Sequence, residues 1–418
     1  MFGFGKRKKN RTLTASFGTV DAFKEAYVNG DPDFLFGSDK NVPIGVSLNG
    51  FFHNKVTIIN DDKDSIRNNC VIPMLSSRNL SYVLYDPDGE YFNATSAKLR
   101  SLGYDVALLD FADETHASRI NPFEMVNVTK NAYWNALIFA GSIKCTQSEV
   151  RVAHNIFMSM MQYILATGKN VDISNLYEVF NAIKKTKASV IRDIMSCPAS
   201  AKYLKMFEDE DIEVRSIVFA KIEKYFFNLF MPKVTNPNVF AITTSNRKTA
   251  IFVKPVPKKY QSLMTTFLFN MKTASVLHGE SSANAVLFDF DDHVWYNKPL
   301  LNKICDDAGS IIERGVLSVN ITSALKNGVP DGQLVVYMHS NDDETIKSVR
   351  ERLMIKNVAS EEELYEIKMK NKYFKKRGIP ESELCKAPVS ENDMKTLKGC
   401  IVVDTAKKVH PFACDFLI

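Results

Sequence analysis

The chain predicts an α/β protein whose mainly parallel sheet is flanked by helices and interrupted by a long all-helical stretch. Three observations predict it. Before Pro122, short β-branched runs alternate with helical stretches, the pattern of parallel βαβ units. Between about Ala132 and Phe230 strand signals almost vanish, and from Pro237 onward they return.

In order, Lys55–Ile59, Tyr82–Tyr85 and Asp105–Leu109 read as strands, with Asn93–Leu102 as a helix between the last two. Leu137 to Ala166 carries apolar residues at helical spacing. Ser174 to Ile183 opens with a serine cap before an aliphatic stripe, and Val214 to Phe230 is a further amphipathic helix. Their Met and aromatic residues (Phe157, Met158, Met160, Met161, Tyr163; Tyr225, Phe226, Phe227, Phe230, Met231) suit core packing first and an adaptable recognition groove second. Strand signals resume at Val239–Ile242, Ala250–Val256, Ala285–Phe290, Leu317–Thr322, Leu334–Met338 and Cys400–Asp404, so the second half of the chain completes the sheet.

With 418 residues, 45% hydrophobic and 24% charged, the chain can bury large cores in two or three domains. No run approaches the ~18 consecutive apolar residues of a spanning helix, and the N-terminus lacks the apolar stretch of a signal peptide. The expectation is a soluble, cytoplasmic protein. Seven cysteines, odd in number and without CxxC spacing, suit reduced thiols and argue against a zinc site or a disulfide framework. The seven histidines are dispersed, and His293 beside Asp291 and Asp292 reads as a chance neighbour rather than a metal ligand.

A net charge of +5 is too mild to identify a nucleic-acid binder. Two basic clusters are more pointed. Lys6, Arg7, Lys8 and Lys9, with Arg11, form a tail suited equally to anionic lipid or nucleic-acid phosphate and to a solubilising role. Lys368, Lys370, Lys372, Lys375, Lys376 and Arg377, interrupted by Tyr373 and Phe374, read as the charged face of a helix pair before they read as a DNA track.

The segment after the first of these strands carries the most information. Val56–Ile59 runs into Asn60-Asp61-Asp62-Lys63-Asp64-Ser65-Ile66-Arg67, an acidic turn without glycine. A phosphate cradle needs glycines so that successive N–H groups converge on oxygen, a lysine for the terminal phosphates and a hydroxyl for the magnesium. Three aspartates here oppose a triphosphate by Coulomb repulsion. They read as a solvated turn or the start of a helix, where acidic residues are favoured.

Downstream, Tyr85-Asp86-Pro87-Asp88-Gly89-Glu90, then Gly103-Tyr104-Asp105-Val106, then Asn121-Pro122-Phe123 follow in an order and spacing that resembles the TraG/TraD coupling proteins of type IV secretion. Further segments extend the resemblance from Thr14 to the C-terminus. Asn246–Pro255 is similar to the family's strand before its long core helix, and Gln261–Val276 to that helix. Ala285–Asp292 is similar to its Walker B strand, Gly315–Ser323 to its sensor strand, and Gln333–Thr345 to a late strand ending Gly-(Ser/Gly)-Asn-Asp-x-x-Thr.

The resemblance implies a RecA-like, P-loop-type core split as residues 14–130 and 237–418, with a basic tail at 1–13 and an all-α domain inserted at 131–236. It also implies where a nucleotide would sit. The loop lysine falls on Ile66 and the magnesium hydroxyl on Arg67, the Walker B aspartate is kept as Asp289, its neighbouring glutamate is Phe290, and the sensor glutamine is Thr322. Asp88 replaces the lysine of the Asp-Pro-Lys-Gly-Glu turn. Asp289 and Asp291 then read as strand-end carboxylates capping the next helix rather than as magnesium ligands.

The expectation is therefore a catalytically degenerate coupling-protein-like subunit without ATP or magnesium. Implied partners are conjugation or type IV secretion components, including an active coupling ATPase or a relaxosome protein, met through the helical insert. The family's hexamers imply a hexameric or hetero-oligomeric assembly, held peripherally at the inner face of the cell membrane through partners. The alternatives are a DNA-translocating ATPase using Lys63 or Arg67 in an unorthodox loop, and a DNA-binding accessory protein using the basic clusters.

Overall fold

The computed structural model describes residues 13–14, 17–28, 32, 34–47, 55–77, 80–112, 123, 126, 132–143, 145–227, 248–277, 285–290, 294–308, 316–354, 365, 369, 385–406 and 410–416. Two compact units divide the chain, residues 1–78 with 318–418 and residues 79–317.

The elements run β1 (Leu13–Thr14), α1 (Val20–Tyr27), β2 (Phe34–Asp39), β3 (Val42–Val46), β4 (Lys55–Ile59), α2 (Lys63–Ile66) and, after a π-helical turn, α3 (Ile72–Ser77). Next come β5 (Ser81–Tyr85), α4 (Glu90–Ser101), β6 (Asp105–Leu109), then the helices α5 (Ala132–Ser142), α6 (Gln147–Ala166), α7 (Ile173–Lys184), α8 (Ala188–Ser196), α9 (Pro198–Glu208) and α10 (Ile212–Ile222). They are followed by β7 (Thr249–Val253), α11 (Gln261–Leu277), β8 (Ala285–Phe290), α12 (Lys298–Ala308) and β9 (Val316–Thr322). The chain closes with β10 (Leu334–Tyr337), α13 (Asp343–Arg352), β11 (Cys385–Lys386), α14 (Glu391–Lys395), β12 (Cys400–Asp404) and β13 (Phe412–Cys414).

In the first unit the strand order is β13-β12-β10-β4-β9. β10, β4 and β9 are parallel, with Ile58 opposite both Val336 and Ile321, whereas β12 and β13 add antiparallel. Parallel strands covered on both faces need near-continuous apolar sequence, and β4 and β10 supply it. Ile59, Val335, Tyr337, Ile401 and Val403 make one core with Ile346, Val349 and Met394 from the two helices α13 and α14. Phe23 of α1 packs on Phe36 and Phe412, with ring centroids 5.7 and 4.7 Å away. The β2–β3 hairpin, absent from the sequence reading, turns on Lys40 and Asn41, both at positive φ. Two-residue hairpin loops require that backbone, and Asn at the second position tolerates it.

In the second unit β8-β5-β7-β6 are all parallel. Every described element from Ala132 to Phe227 is helical. These helices share one hydrophobic core with the strands, in which Val83, Ile251 and Leu287 are continuous with Phe157, Phe180 and Phe226. Phe226 meets Phe139 and Phe157 edge to face at 4.7 and 4.9 Å, contacts worth about 1 kcal/mol each beyond burial. The Met and aromatic residues of the described helices are thus mostly core.

Several boundaries differ from the sequence reading, most clearly among the helices. The long helix expected from Leu137 is two helices, broken at Ile143–Thr146, because Thr146 and Glu149 form a reciprocal capping box that starts α6. α7 is capped by Asp172, whose carboxylate accepts the Asn175 N–H at 2.7 Å, and not by Ser174. α10 gives way after Ile222 to a π-helical turn, Glu223–Phe227. The expected strand at Val239–Ile242 lies outside the described residues. Among those residues, no helix is long and apolar enough to cross a membrane.

Candidate functional site

Each unit places polar residues at the carboxyl ends of its parallel strands, where ligands of open α/β sheets bind. In the first unit β4 is followed by Asn60, which is buried and tied on every side. Its N–H donates to the Thr322 carbonyl at 2.9 Å, its amide nitrogen donates to Ser65 Oγ at 3.1 Å, and its Oδ1 accepts the Asp62 N–H at 3.0 Å.

Asp62 is the N-cap of α2. Its Oδ1 accepts the N–H groups of Asp64 and Ser65 at 3.0 and 3.2 Å. A short side-chain acceptor thus satisfies the helix-start donors that otherwise attract an anion. Lys63 and Asp64 are exposed, and Arg67 Nη2 pairs with Asp64 Oδ1 at 2.9 Å. Ile66 is buried, because α2 turns that position into the core.

Asp61 points to the neighbouring strand end. Its Oδ1 meets His339 Nδ1, and its Oδ2 accepts the Asn341 N–H at 2.6 Å. Burial pushes this carboxyl up, but the hydrogen bonds from His339 and Asn341, with the His339 charge, outweigh it and hold Asp61 below the ordinary range. Thr322 is buried and spends its hydroxyl on the Ala324 carbonyl at 2.6 Å. Asn60, Asp62, Ser65 and Thr322 therefore form one hydrogen-bonded group, and Asp61 with His339 and Asn341 forms a second beside it.

In the second unit Asp289, the penultimate residue of β8, has both carboxylate oxygens engaged. Oδ1 accepts Trp295 Nε1–H at 3.0 Å, and Oδ2 accepts the Tyr296 hydroxyl at 2.9 Å and Lys298 Nζ at 3.1 Å. Trp295 is fully buried and stacks on Tyr85 with centroids 5.9 Å apart. Phe290 is half-buried and packs near the Tyr91 ring, at 6.3 Å.

Nearby, Asp86 accepts the Tyr91 and Phe92 N–H groups at 3.2 and 2.8 Å and so starts α4. Burial raises its pKa, only partly offset by those two donors. Gly89 makes the turn possible at φ 73°, a left-handed backbone that glycine adopts without strain. Asp110 and Lys254, at the ends of β6 and β7, form an ion pair at 3.0 Å.

His339 and Asn341 in the first unit, and Trp295, Tyr296 and Lys298 in the second, are the hydrogen-bond partners of these candidate residues that sequence reasoning missed. One signal was present, since His339 stands where the resemblance has glycine. Lys6, Arg7, Lys8, Lys9, Lys375, Lys376, Arg377, Asp291, Asp292 and His293 lie outside the described residues. Among the described residues no group of three or more His, Cys, Asp or Glu could hold a metal ion.

The parallel strands, the flanking helices and the polar strand ends define a RecA-like core. A sequence profile described as type IV secretory system conjugative DNA transfer matches residues 68–278. The chain belongs to that family, as a TraG/TraD-like coupling protein. The solved structures agree in fold. The unbound bacterial conjugative coupling protein TrwBdeltaN70 is 12% identical, with 99% of this chain and 95% of that one covered and a TM-score of 0.54. The plasmid coupling protein TrwB in complex with ADP and Mg2+ is 11% identical over 100% of this chain and 97% of that one, with a TM-score of 0.52. No curated protein matches the chain by sequence at a significant level.

Proposed function

We propose that this coupling-protein relative is a non-catalytic subunit of a conjugative type IV secretion system, which recognises partners or transfer substrates and does not hydrolyse ATP. The observation that carries this reading is the Asp62 cap on α2. A phosphate bound in the family's manner needs the amide groups that Asp62 already satisfies, and it would sit against a carboxylate. The rest of the donor set fits a magnesium nucleotide no better. Ile66 presents no cation, Phe290 offers no base to an attacking water, and the Asp289 oxygens already accept from Trp295, Tyr296 and Lys298.

Recognition falls in this reading to the helical segment of residues 131–236, treated as an inserted domain. Its support is the apolar surface left on α9 and α10, where Met206, Ile212 and Ile217 are exposed. The subunit works at the inner face of the cell membrane through its partners, either beside an active coupling ATPase or with a relaxosome protein.

Calorimetric titration with Mg-ATP and with a non-hydrolysable analogue, combined with phosphate release measured with and without DNA, tests the proposal. Neither binding nor release is expected. Micromolar binding with turnover would replace it with an ATPase using Lys63 or Arg67.

A further inference from the structure

β12 and β13 pair antiparallel with Cys400 directly opposite Cys414, and their Sγ atoms lie 3.0 Å apart. Neighbouring strands bring paired Cα atoms to about 4.5–5.5 Å, inside the range a disulfide spans. The space over the two sulfurs is kept by Gly37 of β2, where an added Cβ would lie 2.7 Å from Cys414 Sγ and 3.1 Å from Cys400 Sγ. Cys400 is buried and Cys414 only half so. Sequence spacing hid this pair, because strand register and not a CxxC turn brings the thiols together.

We propose that Cys400 and Cys414 form a reversible thiol–disulfide pair, a redox modification site on the edge of the first unit. The oxidant is a low-molecular-weight disulfide such as oxidised glutathione. Cys414, the more accessible thiol, attacks as thiolate, forms a mixed disulfide and releases one glutathione thiolate. Cys400 then gives its proton to water, attacks Cys414 Sγ and expels the second glutathione. Two protein thiols are thus oxidised and one glutathione disulfide is reduced to two thiols.

The hydrogen bond with Cys414 first, and burial second, push the Cys400 thiol up, which leaves the first attack to Cys414, while the opposed register brings Cys400 to the mixed disulfide for the second. The bond would fasten the three-residue edge strand β13 to β12. β13 is already followed by a bridge to the β2–β3 hairpin, in which Ser38 and Asp415 exchange both backbone hydrogen bonds at 2.9 and 2.8 Å. Oxidation would therefore lock the C-terminal edge, and reduction would let it open locally.

The test incubates the full chain, first reduced and desalted, in glutathione buffers of rising disulfide content. Samples are quenched in acid, alkylated in denaturant and mapped by peptide mass spectrometry. Cys400 and Cys414 are expected to lose alkylation together and to appear as one linked peptide lighter by two hydrogens, reversed by dithiothreitol. Cys400→Ser is expected to trap glutathione on Cys414. If that variant does not fold, the wild-type map alone decides. Full alkylation of both residues in the most oxidising buffer, or a linkage joining other cysteines, would overturn the proposal.

Discussion

Asp62 Oδ1 accepts the backbone N–H of Ser65 at 3.2 Å, and this one contact decides how α2 begins. The same oxygen takes the Asp64 N–H, so the strand-to-helix turn closes on its own side chain. Asp62→Ala should cost about 1 kcal/mol, whereas Asp62→Asn, an equally good cap, should be near neutral. Urea unfolding of the two variants checks this. Equal losses in both would mean that the charge, and not the cap, is what matters.

Ile66 stands where the resemblance places the loop lysine, and it is 7% exposed. Ile66→Ala should cost about 2–4 kcal/mol by leaving a cavity. Ile66→Lys should cost more, because an unpaired ammonium would be desolvated there. Nor should it confer nucleotide binding, since the turn still lacks converging amides. Thermal unfolding and nucleotide titration of both variants read the two claims separately. A stable lysine variant that binds ATP would contradict both.

At Asp289 the acceptor serves two buried aromatic donors. Asp289→Ala leaves Trp295 Nε1–H and the Tyr296 hydroxyl without it, so a loss of about 2–4 kcal/mol is expected. Asp289→Asn keeps one carbonyl acceptor and should lose less. In a complemented conjugation assay the asparagine variant should transfer DNA at near wild-type frequency. An abolished transfer with intact folding would instead point to a metal-binding role.

The same residues show what a sequence can disclose. Lys55–Ile59, Asp105–Leu109 and Ala285–Phe290 were legible to the residue, because runs of β-branched and apolar side chains bounded by polar ones have one common solution. The β2–β3 hairpin was not, since Gly37, Pro43 and Gly45 break the apolar alternation and the turn is Lys-Asn in place of Asn-Gly. Helix starts failed where two caps competed, as with Asp172 and Ser174. The candidate site was legible by position only. Whether Asp61 was solvated or bonded depended on His339 and Asn341, about 280 residues away along the chain. Such partners are set by strand order, which local pattern does not encode.

That long-range pair also sets an acid limit on the first unit. Asp61 is held below its ordinary value of 3.8, burial being outweighed by His339 and Asn341. A carboxyl with a lower pKa in the folded chain stabilises the fold fully above its unfolded value, and the contribution fades as pH falls through the folded value. Unfolding free energy should therefore drop below about pH 4. Asp61→Asn removes that contribution, so the variant should be less stable than wild type at neutral pH and should show a shallower acid loss. Glu149, held low chiefly by Lys221 and then by the Thr146 N–H, supplies a second loss of the same sign in the other unit. The double variant with Glu149→Gln should accordingly be flatter still. Urea titrations at stepped pH distinguish the cases, and an Asp61→Asn curve parallel to wild type below about pH 4 would show that the Asp61–His339 contact does not couple folding to protons.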